Sequence, residues 1–225
     1  TEYIRALIRS DSKIKPMTVK RHKAGYHDRN LYQNIASATK LREMNRNNEN
    51  INDFIPYKLE DINCDIPYDI SNLDSAIISK LRLMTAEDLQ NISEVTEGIE
   101  NRILSSANMS YSFETLVENV KNKRYTTSKI RRMIISALIG FTKDIYSPMP
   151  QYIRILGMNK VGMTILKQAK DICKVPIITK TADFKEQSPQ FNLDVRATNI
   201  AMLCNPIPTH RIGNADLKKS PIIMK

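Results

Sequence analysis

Between Leu73 and Leu138 the chain repeats apolar residues at intervals of three and four. One set is Leu73, Ile77, Leu81 and Met84, and a second is Val95, Ile99, Ile103 and Leu104. A third is Phe113, Leu116, Val117 and Val120, and a fourth is Ile130, Met133, Ile134, Ala137 and Leu138. This spacing places each set on one face of a helix. Amphipathic helices that follow one another closely hide their stripes against each other, so the sequence dictates a helical bundle. The punctuation agrees. Thr85, Ser112 and Thr126 or Thr127 sit where N-caps belong, Gly140 is placed to stop the fourth helix, and the second helix is expected over about 93–106. With no tryptophan and few aromatics, the core must be Ile, Leu, Met and Val. Apolar runs are too short for a membrane-crossing helix, which needs about 18 residues or more. Thr1–Arg5 do not read as a signal peptide, so a cytoplasmic protein without membrane contact is expected.

Charge is distributed in blocks. Residues 1–46 carry net +7, residues 47–120 net −10, residues 121–143 net +7, and the whole chain +10. Such asymmetry points to an anionic partner bound at chosen surfaces. The acids of the middle block read as the solvated face of the bundle. The segment 121–132 is the more informative: Lys121, Lys123, Arg124, Lys129, Arg131 and Arg132 surround an expected helix start, and Tyr125 offers a stacking face. Cations at a helix N-terminus oppose its dipole unless an anion arrives, and RNA phosphates are the natural anion.

Upstream, residues 1–10 read as a helix already under way, Lys15–Lys20 as a short strand and 21–34 as a loop. A second helix is expected from about Ser37 to Asn45. Helix–strand–loop–helix is the form of the last unit of a doubly wound α/β domain, in which ligands bind at the carboxyl ends of strands. Lys20 and Arg21 would lie at that end. Ser37 and Thr39 can cap the second helix and leave backbone N–H groups facing an anion, and Arg42, one turn on, can bend back to it. Asn45–Asn50 is a polar run suited to a linker.

The remainder reads as strand 152–156, helix 159–170 and strand 176–180, a small βαβ unit, then a helix over 193–203 and an extended, proline-bearing tail. Asp194 and Arg196 read as structural ion-pair partners of neighbouring elements in preference to RNA contacts. Cys64, Cys173 and Cys204 lack metal-ligand spacing and suit a reducing compartment. His22, His27 and His210 add no metal cluster.

Two motifs carry a family resemblance. Lys20-Arg21-x-x-x-Gly25-Tyr26-His27-Asp28, followed by Ile35-Ala36-Ser37-Ala38-Thr39-x-x-Arg42, resembles the tRNA(Met) cytidine acetate ligase family, a branch of the nucleotidyltransferase superfamily. The stretch Lys123-Arg124-Tyr125-Thr126-x-x-x-Ile130-x-Arg132 is similar to the same family. Ala36 departs from relatives that carry a second Ser there. The resemblance implies an α/β plus α chain: the last strand–helix unit of a Rossmann-like nucleotidyltransferase domain, then a mainly helical domain with a small mixed α/β part. The expected divisions are 1–46, 47–144 and 145–225.

The resemblance also implies the chemistry. ATP, with Mg2+, activates acetate as acetyl-adenylate, and the acetyl group passes to the exocyclic amine of the wobble cytidine of elongator tRNA(Met). Lys20, Arg21, Ser37, Thr39 and Arg42 are then the expected ATP contacts, and Lys121, Lys123, Arg124, Tyr125, Lys129, Arg131 and Arg132 the expected tRNA contacts. The family's His-x-Gly-His motif is absent from these 225 residues. The chain is therefore expected to be the later part of a longer protein, inactive alone and partnered by the missing N-terminal half. Two other readings are a small-molecule adenylyltransferase, which shares the 35–42 segment but has no need of the basic segment, and a non-catalytic RNA-binding module, which needs the 20–42 segment to be structural.

Overall fold

A computed structural model describes residues 2–20, 22–23, 25, 28–56, 68–96, 98–146, 149–185 and 188–224. The chain forms two compact units, Thr1–Pro67 and Tyr68–Lys225.

In the first unit, α1 (Glu2–Arg9) carries an acid in its first turn, and Glu2 pairs with Arg5 at 2.7 Å. Residues 12–20 have no regular secondary structure, so the strand expected over Lys15–Lys20 is absent. A strand is made by its ladder, and no described segment pairs with this one. Met17 and Val19 are correspondingly exposed. The chain then turns tightly: Tyr32 and Ile35 exchange two backbone hydrogen bonds of 2.9 Å each, with Gln33 in the left-handed region at φ 54°. Helix α2 (Ala38–Arg46) follows and ends where the N–H of Asn47 reaches back to the carbonyls of Glu43 and Met44.

The second unit holds the bundle. A 3-10 turn, Ile70–Leu73, leads into α3 (Asp74–Arg82). Thr85 and Asp88 form a reciprocal capping box for α4 (Ala86–Gln90). Helix α5 (Ile99–Met109) starts later than the apolar spacing suggests, because Glu94 and Gly98 take left-handed conformations, φ 68° and 91°, that end any helix there. Ser112 and Thr115 box the start of α6 (Phe113–Val120). Thr126 caps α7 (Thr127–Ile139), and Gly140 stops it at φ 71°, the left-handed closure that glycine adopts without a Cβ penalty.

Helices α3, α5, α6 and α7 pack on one another around Ile77, Leu81, Ile103, Leu116, Ile130 and Met133, all at 1% exposure or less. Truncating one such residue to Ala costs about 2–5 kcal/mol, more than any exposed charge in the chain supplies. Two arginines close helix ends. Arg82 donates to the carbonyls of Ala107, Asn108 and Ser110 at the end of α5, and Arg102 to those of Asn119, Val120 and Lys121 at the end of α6. Both satisfy orphan carbonyls at the negative end of a helix dipole.

The rest of this unit is small and mixed. The expected βαβ arrangement is present: β1 (Ile153–Arg154) and β3 (Ile177–Ile178) are parallel, joined through α8 (Lys160–Ile172), with Ile153 opposite Ile177. Between β1 and α8 lies β2 (Gly157–Met158). After β3 come α9 (Pro189–Met202), α10 (Ala215–Lys218) and β4 (Ile222–Ile223), the last parallel to β2. Helix α9 begins before the expected residue 193, at a Ser188 cap with Pro189 in the first helical position. The tail is not simply extended, since it contributes α10 and β4.

Candidate functional site

The first candidate site is the start of α2. Ser37 accepts from the N–H of Lys40 at 3.1 Å and donates its own proton to the carbonyl of Asp28. Buried with its donor and one acceptor position committed, Ser37 builds the helix start and leaves little for a ligand. Asp28 is itself pinned: its carboxylate accepts from the N–H of Asn30 at 3.0 Å and the hydroxyl of Tyr32 at 2.8 Å. These bonds, the Asn30 N–H foremost, hold its pKa below the ordinary aspartate value.

What the turn leaves open is next to Ser37. The N–H groups of Ala38 and Thr39, the Thr39 hydroxyl and the Arg42 guanidinium have no hydrogen-bond or ion-pair partner among the described residues. No acid lies in the first turn. Two orphan donors, a hydroxyl and a guanidinium one turn on make a site for an anion, and phosphate is the usual one. Lys40 is occupied by Glu43 at 3.8 Å. Lys20 is exposed, without a described partner, and lies in irregular chain instead of at a strand end. Arg21 lies outside the described residues.

The second candidate site, around the start of α7, differs from the sequence expectation in its details. Tyr125 is 8% exposed, its hydroxyl hydrogen-bonded to Thr96, so it offers no open face to a base. Its ring instead carries cations: the Arg124 guanidinium lies 5.4 Å and the Lys129 ammonium 5.1 Å from its centroid. Arg131 is ion-paired to Glu114, Arg132 donates to both oxygens of Glu94 at 3.0 Å, and Lys121 meets Glu118 at 3.4 Å. The anions that the basic helix start requires thus come partly from the acidic block, whose glutamates the charge pattern leaves as mere solvated surface. Only the Glu118–Lys121 pair, three residues apart, is legible from spacing. Lys123, Arg124 and Lys129 keep their charges without an acidic partner among the described residues.

A polar cluster in the α/β part went unmarked in the sequence. Buried Asp216 receives both terminal nitrogens of Arg154 at 2.8 Å and the Thr198 hydroxyl at 3.0 Å. Arg154 is the chief cause of its lowered pKa. Asp194 accepts from the Tyr152 hydroxyl, and Arg196 donates to the carbonyl of Ile139 at 3.0 Å. Both contacts are hydrogen bonds and not the expected ion pairs. Among the described residues no helix is long and apolar enough to cross a membrane.

Comparison with known proteins gives these sites a setting. The family model for the HIGH nucleotidyl transferases matches residues 1–216. The tRNA(Met) cytidine acetate ligase of Thermosipho africanus is 33% identical, over 100% of this chain and 60% of the relative. The enzyme of that name from Clostridium botulinum is also 33% identical, over 100% of this chain and 56% of the relative. The chain thus spans less than two thirds of these relatives. Crystal structures of Thermotoga maritima TmcAL superpose with TM-scores of 0.85 for an apo form and 0.81 for a form bound with alpha-thio ATP. Both are 28% identical; the matches cover 99% of this chain and 59% and 58% of the TmcAL chains. The chain therefore belongs to the HIGH nucleotidyl transferase family, with a nucleotidyltransferase-like fold similar to TmcAL, and it resembles the tRNA(Met) cytidine acetate ligases along its entire length.

Proposed function

We propose that this chain contributes ATP contacts and an RNA-contacting surface to an ATP-dependent tRNA(Met) cytidine acetate ligase. Acetate oxygen attacks the α-phosphorus of ATP, the bond to the bridging oxygen breaks, and pyrophosphate leaves acetyl-adenylate behind. The exocyclic amine of the wobble cytidine then attacks the acetyl carbon, AMP departs and the amine gives up a proton. This chemistry calls for positioned positive charge around phosphates and no covalent nucleophile.

The observation that carries the reading is the open start of α2 in a chain that resembles the ligases throughout. Thr39, Arg42 and the N–H groups of Ala38 and Thr39 would hold phosphate oxygens, with Lys20 and Arg21 as further cations and Ser37 fixing the helix start. The remaining ATP contacts would come from residues outside the 225, as the greater length of the relatives suggests. Mg2+ would arrive bound to the triphosphate. For tRNA, Lys123, Arg124 and Lys129 lead. Lys121, Arg131 and Arg132 would join by exchanging exposed glutamates for phosphates, an exchange that opposes only about 1 kcal/mol per pair. Tyr125 acts by carrying two of the cations.

Parallel titrations of the chain with ATP and with elongator tRNA(Met) separate the readings. The ligase proposal expects both to bind. A small-molecule adenylyltransferase would bind ATP alone, and a plain RNA module tRNA alone.

A further inference from the structure

A cavity of about 620 Å3 opens among the end of α7, β1 and α9, within the size range of small-ligand sites. Its mouth is aromatic. Phe141 is anchored by backbone bonds to Ser136 and Ser93, and the Tyr146 ring, 65% exposed, lies 6.4 Å from it. Among the described residues the lining is largely apolar, with Leu193 on one side, and its polar members are Tyr152, Arg154, Gln190 and, at the exposed edge, Asp194.

The way these polar groups are committed decides what the cavity can take. Arg154 spends both terminal nitrogens on Asp216, so its charge is matched inside the protein. The Tyr152 ring is wedged by Phe184 and Phe191, at 6.0 and 5.5 Å, and its hydroxyl donates to one oxygen of Asp194. Burial first, and this bond second, raise the Tyr152 pKa far above its ordinary value, so it remains a donor at any physiological pH. Asp194 is exposed, and its other oxygen has no protein partner among the described residues and faces solvent. The cavity therefore presents apolar and aromatic surface and, at its exposed edge, a carboxylate held by Tyr152 that can only accept. Phosphate and acetate are disfavoured there. A flat ring with N–H donors on its edge is favoured.

We propose that this cavity receives an unpaired nucleobase bearing an exocyclic amine, stacked at Tyr146 and donating to Asp194. The proposal rests on the RNA-modifying reading above and adds a place where substrate sequence is read. Cytosine, adenine and guanine each offer an amine to the carboxylate. Uracil offers one N–H flanked by two carbonyl oxygens, which the carboxylate repels. With its amine engaged by Asp194, the base is held for recognition. Asp194 acts as a specificity residue.

The test is equilibrium binding of short single-stranded oligoribonucleotides of cytidine, adenosine or uridine alone to the 225-residue chain. It is compared with Asp194→Asn, which can still accept from Tyr152, and Tyr146→Ala at an exposed position. The cytidine and adenosine oligomers should bind about tenfold or more tighter than the uridine oligomer. Asp194→Asn should erase most of that preference, and Tyr146→Ala should weaken the cytidine and adenosine oligomers by about tenfold. Equal binding of the uridine oligomer, or indifference to both substitutions while tRNA still binds, overturns the cavity proposal and leaves the ligase reading intact. Failure of every oligomer and of tRNA to bind overturns both.

Discussion

Helices α2 and α7 start alike and end up with different chemistry. Each has a hydroxyl N-cap, no acid in its first turn and arginine soon after. At α7 neighbouring segments of the bundle answer the charge, with Glu114 of α6 on Arg131 and Glu94, in the turn before α5, on Arg132. The apolar side of α7 is sealed by Ile130, Met133, Ile134 and Ala137. At α2 the only buried residue is Met44, and Arg42 meets no acid among the described residues. A basic helix start is thus answered within the protein where acids from other segments reach it and left open where none does. The same division runs through the molecule. Arg82, Arg102 and Arg154 are committed to carbonyls or a buried carboxylate, whereas Lys123, Arg124 and Lys129 remain available.

Substitutions can sharpen or break this contrast. The largest stability effect should come from a committed charge. Asp216→Asn leaves Arg154 without its anion, and the expected loss is about 2–3 kcal/mol at neutral pH by denaturant unfolding. The sign with pH follows from the lowered folded pKa of Asp216. Its contribution is full above the ordinary aspartate pKa, about 3.9, and fades as pH falls below it, so the variant should converge on the parent in acid. A loss that persists undiminished under acid would show that packing, not the ion pair, was removed.

Next in size is the available set. Replacing Lys123, Arg124 and Lys129 together by Ala should weaken tRNA binding by at least about tenfold at moderate salt. It should also lower the log–log salt slope by about 2, at roughly 0.7–0.9 per phosphate contact. The Arg131→Ala and Arg132→Ala pair should do less, because each must first exchange its glutamate, and the reverse order would mean that the paired arginines and not the unpaired cations carry the RNA contact. The smallest effects concern the framework: Thr126→Ala should cost about 1 kcal/mol of stability, and Arg132→Ala no more than that.

How much was legible depends on where each partner lies in the sequence. The bundle could be read because its signals are local: the stripe at Ile130, Met133 and Ile134, the boxes at Thr85 and Ser112, and the Gly140 stop all lie within a turn or two of what they control. The start of α5 is not where the apolar spacing puts it, because Val95 is buried without being helical, between the left-handed Glu94 and Gly98. The Ser188–Pro189 start of α9 carried a local signal that the apolar spacing from Leu193 masked. Ion pairs such as Arg132 with Glu94, or Arg154 with Asp216, join residues remote in sequence, and charge blocks cannot reveal them. The same remoteness hid the commitment of Tyr125 to Thr96. At α2 the cap was local and legible, whereas the carbonyl of Asp28 that takes the Ser37 proton was not.

The central claim is that the open start of α2 holds phosphate through Arg42. ATP titration of the chain, followed calorimetrically beside Arg42→Ala and Arg132→Ala, tests it directly. The expected result is a loss of about 2–3 kcal/mol in ATP affinity for Arg42→Ala, the scale of a lost charge-assisted contact, and none for Arg132→Ala. Unchanged ATP affinity in Arg42→Ala, or an equal loss in both variants, would contradict the claim.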